Sequence, residues 1–90
     1  MTEPHDLPDE AYYGPYRGLV VDNNDPSSQM RIQVVVPDIF GEEVRLWALP
    51  CVPPGWRSVP DVDAMVWIEF EAGDPGRPIW MGVAPRPPRQ

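Results

Sequence analysis

Two carboxylates, Glu69 and Glu71, come nearest to a catalytic pair in type and spacing. Residues two positions apart on a β-strand share a face, and the strand rise separates them by about 6.5 to 7 Å. Carboxyl groups at such a distance could serve an inverting glycosidase. Alternating carboxylates are more typical of the solvated face of a strand, and a chain of 90 residues offers little depth for a sugar cleft. We therefore predict no catalytic residues and no enzyme.

Asp22, Asn24 and Asp25 are similar to the start of a calcium-binding loop, but the glycine and the final glutamate of that pattern are absent. Such side chains also favour turns, and a turn is the interpretation we prefer. His5 has no Ser or Cys nucleophile paired with it by a known motif, and Cys51 is the single cysteine. The sequence thus predicts no metal site and no cofactor.

The charge of the chain argues against binding to nucleic acid. Its 7 basic residues face 14 acidic ones, for a formal net charge of −7, and every basic residue is an arginine. Affinity for nucleic acid comes mainly from cations that neutralise phosphates, so an acidic protein must first overcome repulsion. The start of the sequence lacks the pattern of a signal peptide, and no apolar run is long enough to cross a membrane. We expect synthesis in the host cytoplasm and no membrane insertion by this chain.

The composition changes along the chain and predicts one domain with two extended ends. Residues 1–11 are acidic and interrupted by prolines, which indicates a flexible arm. Residues 12–83 carry the apolar patterns of a folded barrel. Residues 84–90 read APRPPRQ, which predicts an extended Pro/Arg-rich tail, although a polyproline ligand is an alternative.

Period-two alternation of apolar residues, typical of half-buried strands, recurs along the folded part. Five strands are predicted, at Tyr16–Asp22, Met30–Val36, Val44–Leu49, Met65–Glu71 and Pro78–Val83. Turn chemistry marks two of the connections. The predicted turn residues are Asp25, Pro26, Gly73, Asp74 and Pro75. Because prolines crowd the stretch from Pro50 to Asp63, we expect a loop there and neither a helix nor a central strand.

Five short strands without a helical period favour a small all-β domain. A five-stranded Greek-key barrel is the OB fold, which usually carries a helix between strands three and four. Here the Pro-rich loop takes the place of that helix. We predict an OB-fold barrel with extended termini.

The tryptophans are numerous for this length, and we place three of them, Trp47, Trp67 and Trp80, on the strand face opposite the apolar positions. Outward aromatic side chains can stack on bases or sugars, or they can anchor contacts between subunits. The negative charge disfavours base stacking, so we predict subunit contact. Trp56 in the Pro-rich loop could instead cover an end of the barrel. Tyrosines at the start of the folded part complete the predicted subunit or partner interface: Tyr12, Tyr13 and Tyr16.

Four segments, in order, carry a family resemblance: YYGPYRGLVVDNNDP, MRIQVVVPDIFG, VRLWALPCVPPG and AMVWIEFEAGDPGRPIWMG. Together they resemble the OB-fold domain of phage baseplate hub and tail-spike proteins, the baseplate assembly protein V group. This domain also occurs in type VI secretion spike proteins and in contractile injection systems. The resemblance extends over roughly Tyr12 to Gly82, and VWIEFEAGDPGRPIWMG is its most specific part.

The resemblance implies a homotrimer on the axis of a contractile tail, beneath a baseplate hub protein and next to a spike tip or needle protein. It implies a structural role without chemistry, in a virion tail baseplate or a contractile injection particle. Larger members continue into a β-helical needle, whereas this sequence stops at Gln90, so we expect a stand-alone adaptor. The rival hypothesis is an OB-type binding module for single-stranded nucleic acid or oligosaccharide.

Overall fold

A computed structural model describes residues 11–85 of the chain. Nearly all of the predicted arm and most of the predicted tail therefore lie outside the described residues. The elements, in chain order, are β1 (Tyr16–Asp22), β2 (Ile32–Val36), α1 (Pro37–Phe40), β3 (Gly41–Pro50), β4 (Met65–Phe70) and β5 (Pro78–Val83), with a 3-10 turn (Glu71–Gly73) between the last two strands.

The five strands close into a barrel in the order β1-β2-β3-β5-β4. Four of the pairings are antiparallel, and the fifth, between β3 and β5, is parallel, with Leu49 opposite Ile79 and Pro50 opposite Trp80. Closure gives every strand two neighbours, although β3 meets β5 only at its last two residues. The prediction of a small all-β OB-fold barrel is confirmed.

The core of the barrel consists of alternate residues of the strands. On β4, Val66, Ile68 and Phe70 are buried while the residues between them are half-buried, which confirms the predicted period-two pattern. One contiguous apolar cluster fills the interior. Its fully buried members with the largest side chains are Trp80, Ile32, Ile68, Val20, Val34, Val36 and Val66.

Gly18 permits the close approach of β1 and β4. A Cβ atom at this position would lie 2.8 Å from Cγ1 of Ile68, whose side chain is fully buried. Gly18 pairs with Val66 in the β1–β4 ladder, so the space around it is enclosed. A glycine is therefore required here by packing.

Strand bounds differ from the predictions where the backbone leaves the extended region. Met30 has a φ of 61°, so β2 begins at Ile32. Ala72 has a φ of 54° in the 3-10 turn, so β4 ends at Phe70. The short helix α1 was not predicted; it begins at Pro37, whose fixed φ suits a first helical position.

Two longer segments also bear on the predictions. β3 begins at Gly41, three residues earlier than expected. The stretch from 51 to 64 contains neither helix nor strand, as the density of prolines predicted.

The packed part of the barrel extends beyond β5. Ala84 is buried, and its N–H donates to the Met65 carbonyl at 2.8 Å. The packed part of the chain thus includes Ala84, the first residue of the predicted tail.

Candidate interaction surface

Trp67 lies on the outer face of β4, half-buried between two inward-facing core residues. The strand register places it opposite Arg17 of β1, and the guanidinium carbon of Arg17 lies 4.8 Å from the centre of the indole ring. Arg17 Nε also donates to the carbonyl oxygen of Pro85 at 3.3 Å. A cation over an aromatic face is attracted by the ring quadrupole. Arg17 thus holds both Trp67 and the end of the described chain against the barrel wall.

Trp47 on β3 has the same arrangement with a different arginine. The guanidinium carbon of Arg31 lies 5.1 Å from the centre of its ring, and Trp47 is paired with Gln33 of β2 in the ladder. An arginine guanidinium therefore lies over the ring of each of the two outward tryptophans, Arg17 over Trp67 and Arg31 over Trp47. Both rings keep part of their surface exposed.

Asp25 fixes the position of Arg31. Its carboxylate accepts bonds from Nε of Arg31 at 3.1 Å and from Nη2 at 2.9 Å, a bidentate pair. The backbone N–H groups of Ser27, Gln29 and Arg31 donate to the same carboxylate at 2.8, 2.9 and 3.1 Å. The bonds from the Arg31 side chain and these backbone donors hold the pKa of Asp25 well below its usual range. Asp25 in turn raises the pKa of Arg31.

An open groove of about 350 Å³ lies beside Trp47. Trp47, Leu49 and Pro78 give it apolar surface, and Arg31 and Arg77 give it two guanidinium groups. Leu49 is 43% exposed. The groove therefore combines an apolar floor with two guanidinium groups, each of which is paired with a carboxylate of the same chain.

Glu71 forms part of the groove and pairs with Arg77, with Oε2 and Nη2 3.2 Å apart. Both side chains are well exposed, at 44% and 56% of their surface. Exposed pairs of this kind contribute little to stability and exchange readily with water. The Arg77 side chain can therefore change its partner more easily than the Arg31 side chain, which is held by two bonds to Asp25.

The prediction that Trp80 faces outward is wrong. Its side chain is only 1% exposed and is the largest fully buried side chain. The parallel β3–β5 pairing, together with the β4–β5 register that sets Trp80 opposite Ile68, directs the indole into the barrel. Its surface is therefore not available to another subunit.

The three predicted interface tyrosines have different surroundings. The ring centres of Tyr12 and Tyr16 lie 5.8 and 6.0 Å from that of Phe70, so both rings pack against the chain's own core. Tyr13 is 67% exposed. Of the three, Tyr13 alone offers most of its ring to a partner.

The predicted turn residues lie in two connections of the barrel. Asp25 and Pro26 follow β1. In the β4–β5 connection, Gly73 is buried with a φ of 74°, and Asp74 Oδ1 accepts from the Gly76 N–H at 2.9 Å. The Tyr12 N–H donates to the Gly73 carbonyl at 2.9 Å. The start of the described chain is thus attached to the connection that forms one wall of the groove.

Sequence reasoning missed several parts of this surface. Arg17 and Arg31 were not predicted to cover tryptophans, because the pairing depends on strand register and on the Asp25 turn. Met81 on β5 is exposed, while Trp56 projects from the loop and donates from Nε1 to the Ser58 carbonyl at 2.7 Å.

No cluster of three or more metal-ligating side chains occurs within residues 11–85. No helix of that same range is long and apolar enough to span a membrane.

Comparison with protein families identifies the family to which the barrel is similar. A family model described as the type VI secretion system/phage-baseplate injector OB domain matches residues 16–84. The matched range contains all five strands. A search of curated proteins finds no match.

Proposed function

The chain belongs to the family of injector OB domains of type VI secretion systems and phage baseplates, and we propose that it acts there as a trimeric adaptor between a hub and a tip. The family resemblance found in the sequence is thereby confirmed. Membership assigns the chain a structural role in a phage baseplate or a secretion-system injector. The trimer, the position on the tail axis and the two partners are the proposal.

The observation that carries the role is the family match over most of the chain. Self-association is supported by the outer wall formed by β3, β5 and β4. Leu49 and Ile79 are directly paired on this wall, Met81 follows on β5, and Trp67 lies on β4. An apolar surface of this kind is typical of contacts between proteins, where tryptophan is enriched among the residues that contribute most.

The size of the chain favours the same proposal. A domain of about 90 residues buries a smaller share of its surface on folding than a larger one, so its margin of stability is small. Association that involves only the folded state adds to that margin. A barrel of this size thus benefits from neighbouring subunits in the assembly.

We further propose that the barrel is not catalytic. Glu69 and Glu71 do not form a facing pair, because β4 ends between them and Glu71 belongs to the 3-10 turn. Glu71 is instead paired with Arg77. This arrangement supports a structural use of the Glu71 carboxylate.

Solution mass measured by light scattering over a concentration series tests the trimer. We expect a species of three times the 10.2 kDa chain mass. Replacing Leu49 by glutamate places charge on the outer wall and should reduce the mass to that of one chain, with the circular dichroism spectrum retained. Val62→Glu, at an exposed apolar residue of the Pro-rich loop, is the matched control. A monomer at every concentration would contradict self-assembly.

The rival hypothesis of a ligand-binding module makes a separate prediction. Outward tryptophans could stack on bases, but one face of both Trp47 and Trp67 is occupied by the chain's own arginine. The net charge of −7 adds repulsion against phosphates. We expect no salt-dependent binding of a single-stranded oligonucleotide and no binding of oligosaccharides. Binding of either ligand, lost in Trp47→Ala, would favour the rival.

A further inference from the structure

The first half of β3 contains an exposed segment that is not paired with β2. β3 pairs with β2 at its first residue, Gly41, and the next paired residue along β3 is Leu46. The four residues between them, 42–45, therefore lie opposite a single residue of β2. All four are exposed. The segment 42–45 is thus an extended part of the chain that is open to solvent.

The other side of this segment is also unpaired. β3 meets β5 only at Leu49 and Pro50, so no strand pairs with segment 42–45 within residues 11–85. Unpaired N–H and C=O groups of an extended segment can pair with another chain. Charged side chains at such an edge usually oppose this pairing, but opposite charges that face each other across two strands favour it. The arrangement of charge in the segment therefore decides whether it can pair.

The charges of the segment are complementary to those of a second copy. Val44 is 43% exposed, and it lies between Glu43 and Arg45, neither of which has an ion pair within the described part of the chain. In an antiparallel pairing with Val44 opposite Val44, each Glu43 lies opposite Arg45 of the other copy. This two-fold contact combines two ion pairs with a contact between apolar side chains, so the same patch is complementary to itself.

Neighbouring registers lack this match. If Glu43 lies opposite Glu43, like charges meet, which destabilises the pair. If Glu42 lies opposite Arg45, each Glu43 faces the apolar side chain of Val44. Of these three registers, the one centred on Val44 alone satisfies every charge next to the two-fold axis.

We propose that segment 42–45 pairs antiparallel with the same segment of a second copy of the chain, with Val44 at the two-fold axis. The segment includes none of the residues of the outer wall formed by β3, β5 and β4. The contact therefore adds to association through that wall and does not replace it. Because a short pair of strands is only marginally stable in water, the contact forms at a higher concentration than the outer-wall contact.

Exchange of the two charges tests the proposal by light scattering. With rising concentration, the mass of the natural protein should double from that of its smallest species. Glu43→Arg and Arg45→Glu should each lose this doubling, because like charges then face each other. An equimolar mixture of the two variants should restore it, since each variant then meets the opposite charge. The result is a ratio of masses, so it does not depend on whether the smallest species is a trimer.

Glu42→Arg is the matched control, because it makes the same change of charge at the neighbouring residue. We expect it to retain the doubling. A natural protein whose mass does not double would overturn the proposal. A mixture of the two charge variants that stays undoubled would overturn it as well, and so would an equal loss in Glu42→Arg, which would point to net charge instead.

Disulfide formation tests the register. Val44→Cys in a Cys51→Ser background should give a covalent dimer on mild oxidation, at several times the rate of Val62→Cys in the same background. Val62 is 47% exposed and lies in the Pro-rich loop, so it reports random collisions. Adding Glu43→Arg to the Val44→Cys variant should lower its rate to that of the control. Equal rates for the two cysteine variants would contradict a two-fold axis at Val44.

Discussion

The Nε1–H of Trp80 donates to the backbone carbonyl of Met30 at 3.0 Å, joining β5 to the residues that precede β2. Trp80 is buried, so this bond satisfies a polar group inside the barrel. Met30 has a φ of 61°, and the chain turns there to present its carbonyl to the indole. One side chain thus fills the core and connects two parts of the barrel that are 50 residues apart.

Replacing Trp80 should therefore lower the free energy of unfolding more than replacing any other tryptophan. We expect Trp80→Ala to lower the free energy of unfolding by about 3 to 5 kcal/mol, the usual range for a buried aromatic residue. Trp80→Phe keeps much of the volume but leaves the Met30 carbonyl without its donor, which costs about 1 to 3 kcal/mol. Urea unfolding measures both. Trp56→Ala is the control, and an equal loss there would contradict the assignment of Trp80 to the core.

Because of Asp25, the free energy of unfolding of the barrel should fall as the pH is lowered. Its pKa is held below the usual range in the folded chain, whereas the unfolded chain has the ordinary value of about 3.9. The unfolded state therefore binds the proton first as the pH falls, and the stabilisation is fully present only above about pH 4.

Asp25→Asn should accordingly be less stable than the natural protein at neutral pH. The difference between their thermal midpoints should narrow as the pH is lowered from about 5 towards 2. Asp61→Asn, at an exposed loop residue, removes one charge without these hydrogen bonds and serves as the control. A difference that stays constant over this pH range would show that Asp25 does not act through its ionised form.

Gly18→Ala should destabilise the barrel although the change adds a single methyl group. The new Cβ would lie 2.8 Å from Cγ1 of the buried Ile68, so β1 and β4 must separate or Ile68 must move. Overpacking of this kind costs about 1 to 3 kcal/mol. Gly76→Ala, whose Cβ would lie 3.4 Å from its nearest neighbour, is the matched control. Equal stability of the two variants in urea unfolding would contradict the tight contact.

Trp67→Ala should leave a folded barrel, because the side chain lies on the outer wall. We expect a smaller loss of stability than for Trp80→Ala, together with weaker self-association in light scattering. Trp67→Phe keeps an aromatic ring under Arg17 and should retain more of the association. Global unfolding of Trp67→Ala would show that this residue belongs to the core.

Several features could be predicted because they depend on neighbouring residues in the sequence. The alternation of Val66, Ile68 and Phe70 indicates a strand with one buried face in any closed sheet. The prolines after β3 exclude a helix wherever that loop is placed. The order of the strands and their motifs was likewise sufficient to identify the family. These properties are local, or they depend only on the order of the elements.

The tertiary structure alone decided which tryptophan is inside. Alternation assigns Trp80 relative to Ile79 and Met81, but it cannot say which of the two faces of a short strand is the inner one. The parallel pairing with β3 and the antiparallel pairing with β4 settle this, because a shift of one residue exchanges the faces. The same holds for the arginines over Trp47 and Trp67, since those contacts join residues that only the closed barrel brings together. Patterns in a sequence determine its strands, while their register in three dimensions determines the surface that a partner meets.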